Sequence, residues 1–285
     1  MTPTVLFTAL KDPATDAEVV TDRLTERVRA TWMAGDFGRI AKGYGRGAAE
    51  FIGRLGFSRG ERVLDVACGT GNLALPAART GAAVTGIDIA PNLIAQAQER
   101  AASEALDITF EVGDAERLPY DDGSFQTVVT MFGAMFAARP EVAAEEMLRV
   151  TRPGGRIAMA NWTPTGFVGE MLKTTVRYAP PPAEIPSPLL WGTEAAVQSR
   201  LEHGVHSLTF TRRVITFEYP LGPADVANYF RLWYGPTLRA FAALDGANRD
   251  GLRRDLEAIW TDHNRATDGT TRVQSEYLEV RAVVK

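Results

Sequence analysis

The sequence predicts a doubly wound, mostly parallel α/β sheet of seven strands, preceded by helices and carrying a helical insertion near its C-terminal end. Three observations predict it. Between residues 62 and 162, short branched apolar runs alternate with stretches of helical period, the pattern of successive strand–helix units. The first run, Val63-Leu64-Asp65-Val66, enters a glycine turn, Ala67-Cys68-Gly69-Thr70-Gly71-Asn72. Acids close the next two runs, Asp88 after 83–87 and Asp114 after 108–112.

The elements follow in order. Residues 1–14 have no convincing periodicity and read as a loose arm. From 16 to about 32 the pattern is helical, with Val19, Val20, Leu24 and Val28 at helix-like spacing. Gly35-Asp36-Phe37-Gly38 interrupts it, and a helix resumes over 40–55. Glycines at 35, 38, 43, 45 and 47 make this segment pliable. Residues 1–60 therefore read as a helical cap, either loosely packed or a lid that closes over substrate.

A core over 61–165 holds parallel strands at 63–66, 83–87, 108–112, 127–132 and 156–161, with helices at 72–80, 93–105 and 141–150. Pro153-Gly154-Gly155 reads as a turn entering the fifth strand. Beyond it, 166–178 is helical, 179–188 is a stiff proline-rich loop, and 193–201 is helical. Residues 208–219 alternate like a strand, 223–244 and 249–264 are helical, and 271–284 is the last strand. Sheets of this kind bind ligands beyond the carboxyl ends of their strands, where the glycine turn and both acids fall.

The residue types at those ends specify a ligand class. Gly69 and Gly71 let the backbone turn tightly and a ligand come close. Asp88 can accept hydrogen bonds from two ribose hydroxyls, and Asp114 can receive an adenine amino group. Three such turns in successive units point to an adenosine-bearing ligand. A nicotinamide or flavin dinucleotide is the rival, since Gly69, Gly71 and Ala74 satisfy a loose G-x-G-x-x-[GA] pattern. Two details oppose it. Asp65 would repel a pyrophosphate but suit a cation, and the third glycine is an alanine.

These motifs, with Val84-Thr-Gly-Ile-Asp88, Gly113-Asp-Ala-Glu116, Leu118-Pro119 and Arg149-Val-Thr-Arg-Pro-Gly-Gly155, cover roughly residues 45–162. In them the chain resembles class I S-adenosylmethionine-dependent methyltransferases, in the small-molecule branch that includes ubiquinone and menaquinone biosynthesis enzymes. The resemblance implies a Rossmann-like methyltransferase fold whose last two strands form an antiparallel pair. It implies S-adenosyl-L-methionine as cofactor and S-adenosyl-L-homocysteine as product. Asp65 would neighbour the methionine end, Asp88 would hold the ribose, and Asp114 with Ala115 would flank the adenine. Ala67, Gly69, Gly71, Asn72, Ile89 and Phe132 would complete the lining. An insertion over about 222–268 would help to build the substrate pocket.

Methyl transfer from a sulfonium needs mainly alignment and exclusion of water, and a base only where the acceptor must lose a proton. The sequence advertises no base: His203, His206 and His263 belong to no recognisable pair or triad. No metal site is expected either, because no acidic cluster completes one. Aromatic residues suit an apolar or planar acceptor. Trp32, Phe37, Tyr44, Trp162 and Tyr178 are the expected pocket residues, although most aromatics of a chain this size fill its core. Phe132 and Trp162 stand closest to the methyl group by their strand-end positions.

A net charge of −4, without a run of Lys or Arg, argues against nucleic acid as the main partner. Cys68 is the single cysteine, which leaves no intrachain disulfide. No apolar run approaches membrane-spanning length. The expectation is a cytoplasmic monomer or homodimer that methylates a small molecule. A dinucleotide-dependent oxidoreductase and a non-catalytic S-adenosylmethionine-binding regulatory protein are the alternatives.

Overall fold

The computed structural model describes residues 13–285, with side chains described from Arg23 onward. Residues 1–12 of the expected arm, and the side chains of Val19 and Val20, lie outside the described residues. The strands are β1 (Arg62–Val66), β2 (Ala83–Asp88), β3 (Ile108–Val112), β4 (Phe125–Met131), β5 (Thr151–Trp162), β6 (Val205–Tyr219) and β7 (Thr271–Val284). They form one sheet in the order β3-β2-β1-β4-β5-β7-β6. The first five are parallel, β7 is antiparallel to β5, and β6 is antiparallel to β7.

β1 lies inside the sheet, Val63 level with Val84 of β2 on one side and Thr127 of β4 on the other. Val63, Leu64 and Val66 are fully buried, as a strand covered on both faces requires. The chain winds outward through β2 and β3, then crosses to β4 on the other side of β1. That reversal opens a crevice beyond the strand ends.

Helices α1 (Pro13–Met33), α2 (Phe37–Ala41) and α3 (Gly45–Gly53) precede the sheet. Helices α4 (Ala74–Arg79), α5 (Pro91–Ser103), α6 (Pro140–Val150), α7 (Phe167–Tyr178) and α8 (Glu194–Leu201) follow successive strands. The insertion between β6 and β7 consists of α9 (Pro223–Trp233), α10 (Gly235–Ala243) and α11 (Gly246–His263).

Three expectations need correction. The helix over 223–244 is two helices, broken at Tyr234, which is extended. In a continuous helix the Pro236 ring would clash with the carbonyl of Leu232 and leave it without a donor. The helix over 40–55 starts at Phe37 and is divided by a 3-10 turn, Lys42–Tyr44. β5 begins at Thr151, so Pro153 to Gly155 lie inside the strand, where its register with β4 shifts. Glycine at 154 takes φ +69° there.

The leading helices and the insertion meet. The Asp36 amide donates to the Trp233 carbonyl at 2.9 Å, and the Arg39 guanidinium sits 4.2 Å over the Trp233 ring. A Cβ at Gly35 would strike that same carbonyl, and one at Gly235 would strike the Thr31 carbonyl. The two segments, far apart in the chain, thus pack as one cap over the crevice. Gln96 of α5 ties this cap to the core through Asp36, at 3.2 Å.

Candidate active site

The glycine turn is held from three sides. The Cys68 amide donates to the Ile87 carbonyl at 3.0 Å and the Gly71 amide to the Cys68 carbonyl at 2.9 Å. Gly69 and Gly71 take φ +53° and +79°, which suit glycine. The Arg100 guanidinium reaches from α5 to the Thr70 carbonyl at 2.5 Å and to Asn72 Oδ1 at 2.8 Å. A preformed turn costs little to order when a ligand arrives.

Two carboxylates lie buried beside it. Asp88 Oδ2 accepts from the Gly69 amide at 2.8 Å and Oδ1 from the Ala90 amide at 2.9 Å. Each oxygen keeps a lone pair for a ligand. Burial pushes the Asp88 carboxyl up to about 6, against the pull of those amides. Asp65 Oδ2 accepts from the Ala74 amide at 3.0 Å, in the first turn of α4. Burial holds its carboxyl well above the ordinary range, and the charge of Asp88 adds to the effect. Two acids in a dry crevice favour a ligand that brings donors and positive charge.

The third acid is placed differently. Asp114 is half-buried; its Oδ1 accepts from the Glu116 amide at 2.9 Å and its Oδ2 from Thr25 Oγ1 of α1 at 3.3 Å. Glu116, by contrast, is buried and structural: it accepts from the Arg139 amide at 2.7 Å and pairs with the Arg139 guanidinium at 2.6 Å.

The crevice encloses about 870 Å³, part of it open to solvent, within the range of small-ligand sites. Its lining brings together Asp65, Ala67, Gly69, Asn72, Asp88, Ile89, Asp114, Ala115 and Phe132, with Trp32, Phe37 and Tyr44 from the leading helices. Ala67 and Phe132 end the adjacent strands β1 and β4 with φ +55° and +56°, conformations costly for residues with a Cβ. Gly133 packs against the Ala67 carbonyl so closely that a Cβ would collide.

An aromatic chamber of about 330 Å³, part of it open space, adjoins the crevice. Trp32, Phe37, Tyr44, Phe132 and Phe136 line both. Trp162, Phe217, Phe230 and Tyr234 complete the chamber. Tyr44 meets Phe132 and Phe217 edge-on at 5.8 and 5.4 Å.

Three expected residues lie outside the crevice, and one of them, Trp162, lies in the adjoining chamber. The α-carbon of Gly71 faces Leu75 and Phe110, so this glycine shapes the turn rather than the crevice wall. Trp162 lines the chamber only, and Tyr178 lines an outer groove with its hydroxyl donated to Asp255 at 2.9 Å. Thr25, Val28 and Tyr234 were not among the expected site residues. Nothing in local sequence marks them, because the packing of α1 and the break before α10 bring them in.

No histidine lines the crevice or the chamber. His203 contacts Glu145 at 3.0 Å and His263 contacts Glu170 at 2.9 Å, both well exposed. Burial raises the Tyr44 hydroxyl and the Cys68 thiol, so both stay protonated near neutrality.

A methyltransferase-domain family matches residues 63–155. An uncharacterized protein of Mycobacterium tuberculosis is 40% identical over 256 residues, spanning 89% of this chain and 93% of that protein. A demethylmenaquinone methyltransferase of Beutenbergia cavernae is 41% identical over 109 residues, 38% of this chain and 44% of its own. Among solved structures, a phosphoethanolamine N-methyltransferase of Haemonchus contortus, in complex with S-adenosyl-L-methionine, superposes with a TM-score of 0.54 at 18% identity. That match covers 84% of this chain and 53% of the other, and it shows a shared fold.

Proposed function

The chain belongs to the class I S-adenosylmethionine-dependent methyltransferases, and on that premise we propose that it methylates a small molecule held in the aromatic chamber. Its cofactor is S-adenosylmethionine, which supplies a methyl group already activated on a sulfonium. The residues present fit that cofactor. Asp88 offers lone pairs to a ribose diol, and Asp65 is a buried acid that a cationic methionine end would draw into its ionised form. Ile89, Asp114 and Ala115 flank the adenine end. Phe132 and Tyr44 present aromatic faces that tolerate a sulfonium charge.

The observation that carries the proposal is the shared wall. The same five aromatic residues line the acidic crevice and the apolar chamber. Two reactants, one in each space, would meet end to end where the spaces adjoin, with water excluded. Such alignment supplies most of what methyl transfer needs. The chamber holds no side chain poised as a base, which suits an acceptor that is nucleophilic as bound.

The cap of α1, α2, α9 and α10 belongs to the proposal as the element that closes over both reactants. The Thr25–Asp114 bond supports it, because it joins α1 to the adenine end. A cytoplasmic monomer or homodimer is part of the same reading, supported by a free, buried Cys68 that needs no oxidising compartment. Among the described residues no helix is long and apolar enough to cross a membrane.

Calorimetric titration with S-adenosylmethionine, S-adenosylhomocysteine and reduced nicotinamide dinucleotides tests the cofactor half. Release of S-adenosylhomocysteine with a panel of apolar acceptors tests the rest. Binding of adenosyl ligands with turnover supports the proposal. Binding of the dinucleotides alone would restore the oxidoreductase, and adenosyl binding without any turnover would favour a regulatory protein.

A further inference from the structure

A second opening lies outside the Trp32–Phe136 pair. It is a groove of about 1600 Å³, largely open to solvent, between α1, α7, the proline-rich loop and α10. Its walls are mostly apolar, with Val28, Leu172, Val176, Ile185, Pro188 and Leu244 among them. Val176, 45% exposed, gives this wall an accessible apolar surface. Prolines at 180, 181, 186 and 188 stiffen one side, so the groove exists before anything enters it.

Its charge is one-sided. Among the described residues, the charged ones that line it are Arg27 and Arg239, with no acid in the lining. Both are exposed, and neither forms an ion pair among the described residues. On a chain of net charge −4, a groove with two free guanidiniums selects for anions. Guanidinium geometry matches a carboxylate by two parallel hydrogen bonds. Trp32 and Phe136, in edge contact at 5.0 Å, line this groove, the crevice and the chamber alike. A molecule lying in the groove therefore has one end at the reacting centre.

We propose that the groove extends the chamber and holds the body of the methyl acceptor, and that this acceptor is an elongated, apolar carboxylic acid in free, monomeric form, with its nucleophilic atom at the end opposite the carboxylate. The inference rests on the methyltransferase reading and narrows its acceptor. The apolar body lies along α7 and the proline-rich loop, the carboxylate pairs with Arg27 and Arg239, and the opposite, nucleophilic end passes Trp32 and Phe136 into the chamber, where its lone pair would bond the methyl carbon as the sulfur–methyl bond breaks.

The test is calorimetry on protein loaded with S-adenosylhomocysteine, titrated below micelle-forming concentrations with dodecanoate, dodecanol and dodecylammonium. Dodecanoate is expected to bind about tenfold more tightly than dodecanol, and dodecylammonium more weakly than either. The paired substitutions Arg27→Gln and Arg239→Gln should erase that preference while S-adenosylhomocysteine binds as before. Val176→Glu, which brings a like charge into the groove, should weaken dodecanoate by a similar factor. Equal binding of the three probes, a preference that survives the double variant, or no dodecanoate binding to cofactor-loaded protein would overturn the inference alone. Failure of S-adenosylhomocysteine itself to bind would overturn the methyltransferase reading, and the acceptor assignment with it.

Discussion

The rings of Phe132 and Trp162 stack face to face at the ends of β4 and β5, 3.4 Å between centroids and 8° between planes. Aromatic pairs prefer offset or edge contacts, and Phe132 holds this position with φ +56°. The surroundings enforce it: Tyr44 and Tyr277 press edge-on against Phe132 at 5.8 and 5.7 Å. The result is a flat aromatic surface beside the junction of crevice and chamber.

Strain at that surface can be measured. Phe132→Ala should cost about 3–5 kcal/mol of stability by leaving a cavity. Phe132→Gly should be no worse than alanine, because glycine accepts a positive φ freely. Urea unfolding of both variants decides it. A glycine variant clearly less stable than the alanine one would show that the backbone stores no strain there.

With Asp88 placed at the ribose, as proposed above, its buried carboxyl should make cofactor binding depend on pH. Ribose hydroxyls would donate to its ionised form, so affinity for S-adenosylhomocysteine should fall as pH drops below about 6. For the unliganded protein the sign is opposite. The folded chain holds this proton more tightly than the unfolded chain does. Its stabilising contribution is full below about 4 and lost as pH rises through about 6, a change of about 3 kcal/mol. Asp88→Asn should flatten both profiles relative to the parent, by titration calorimetry and thermal melting across that window.

Asp65 should act on one end of the cofactor. In Asp65→Asn the amide oxygen can still accept from Ala74, so the turn should survive. Affinity for S-adenosylmethionine should drop about tenfold with the lost charge. Methylthioadenosine, which has no amino-acid end, should bind the variant as it binds the parent. A matching loss for both ligands would mean that Asp65 supports only the turn.

The two-segment cap predicts a long-range effect. In Gly235→Ala the new methyl group meets the Thr31 carbonyl, forcing α10 away from α1 at a cost of about 1–3 kcal/mol. Hydrogen exchange should then quicken over residues 23–44, which are far from the substitution in sequence, while β1, β4 and β5 stay protected. Unchanged exchange over 23–44 would show that the contact does not hold the cap.

Much of this protein was legible before its structure. The order of the seven strands' apolar runs, the glycine turn and the acids at 65, 88 and 114 could be read because each depends on neighbours in sequence. A strand buried on both faces must be a continuous apolar run, and a turn with positive φ calls for glycine. The breaks were less legible. Pro236 carries a clear local signal, but the apolar spacing across 223–244 conceals the division it causes.

Contacts between distant segments were not legible at all. Local backbone chemistry made the parallel core, the cofactor class and the acids that line the crevice readable from residues alone. The folded arrangement was needed to show that α1 and α10 pack together, that Tyr234 rather than Tyr178 lines the chamber, and that Arg27 and Arg239 share a groove. The physical reason is that side-chain packing is set by which surfaces meet, and residues about two hundred positions apart leave no period or motif to announce it.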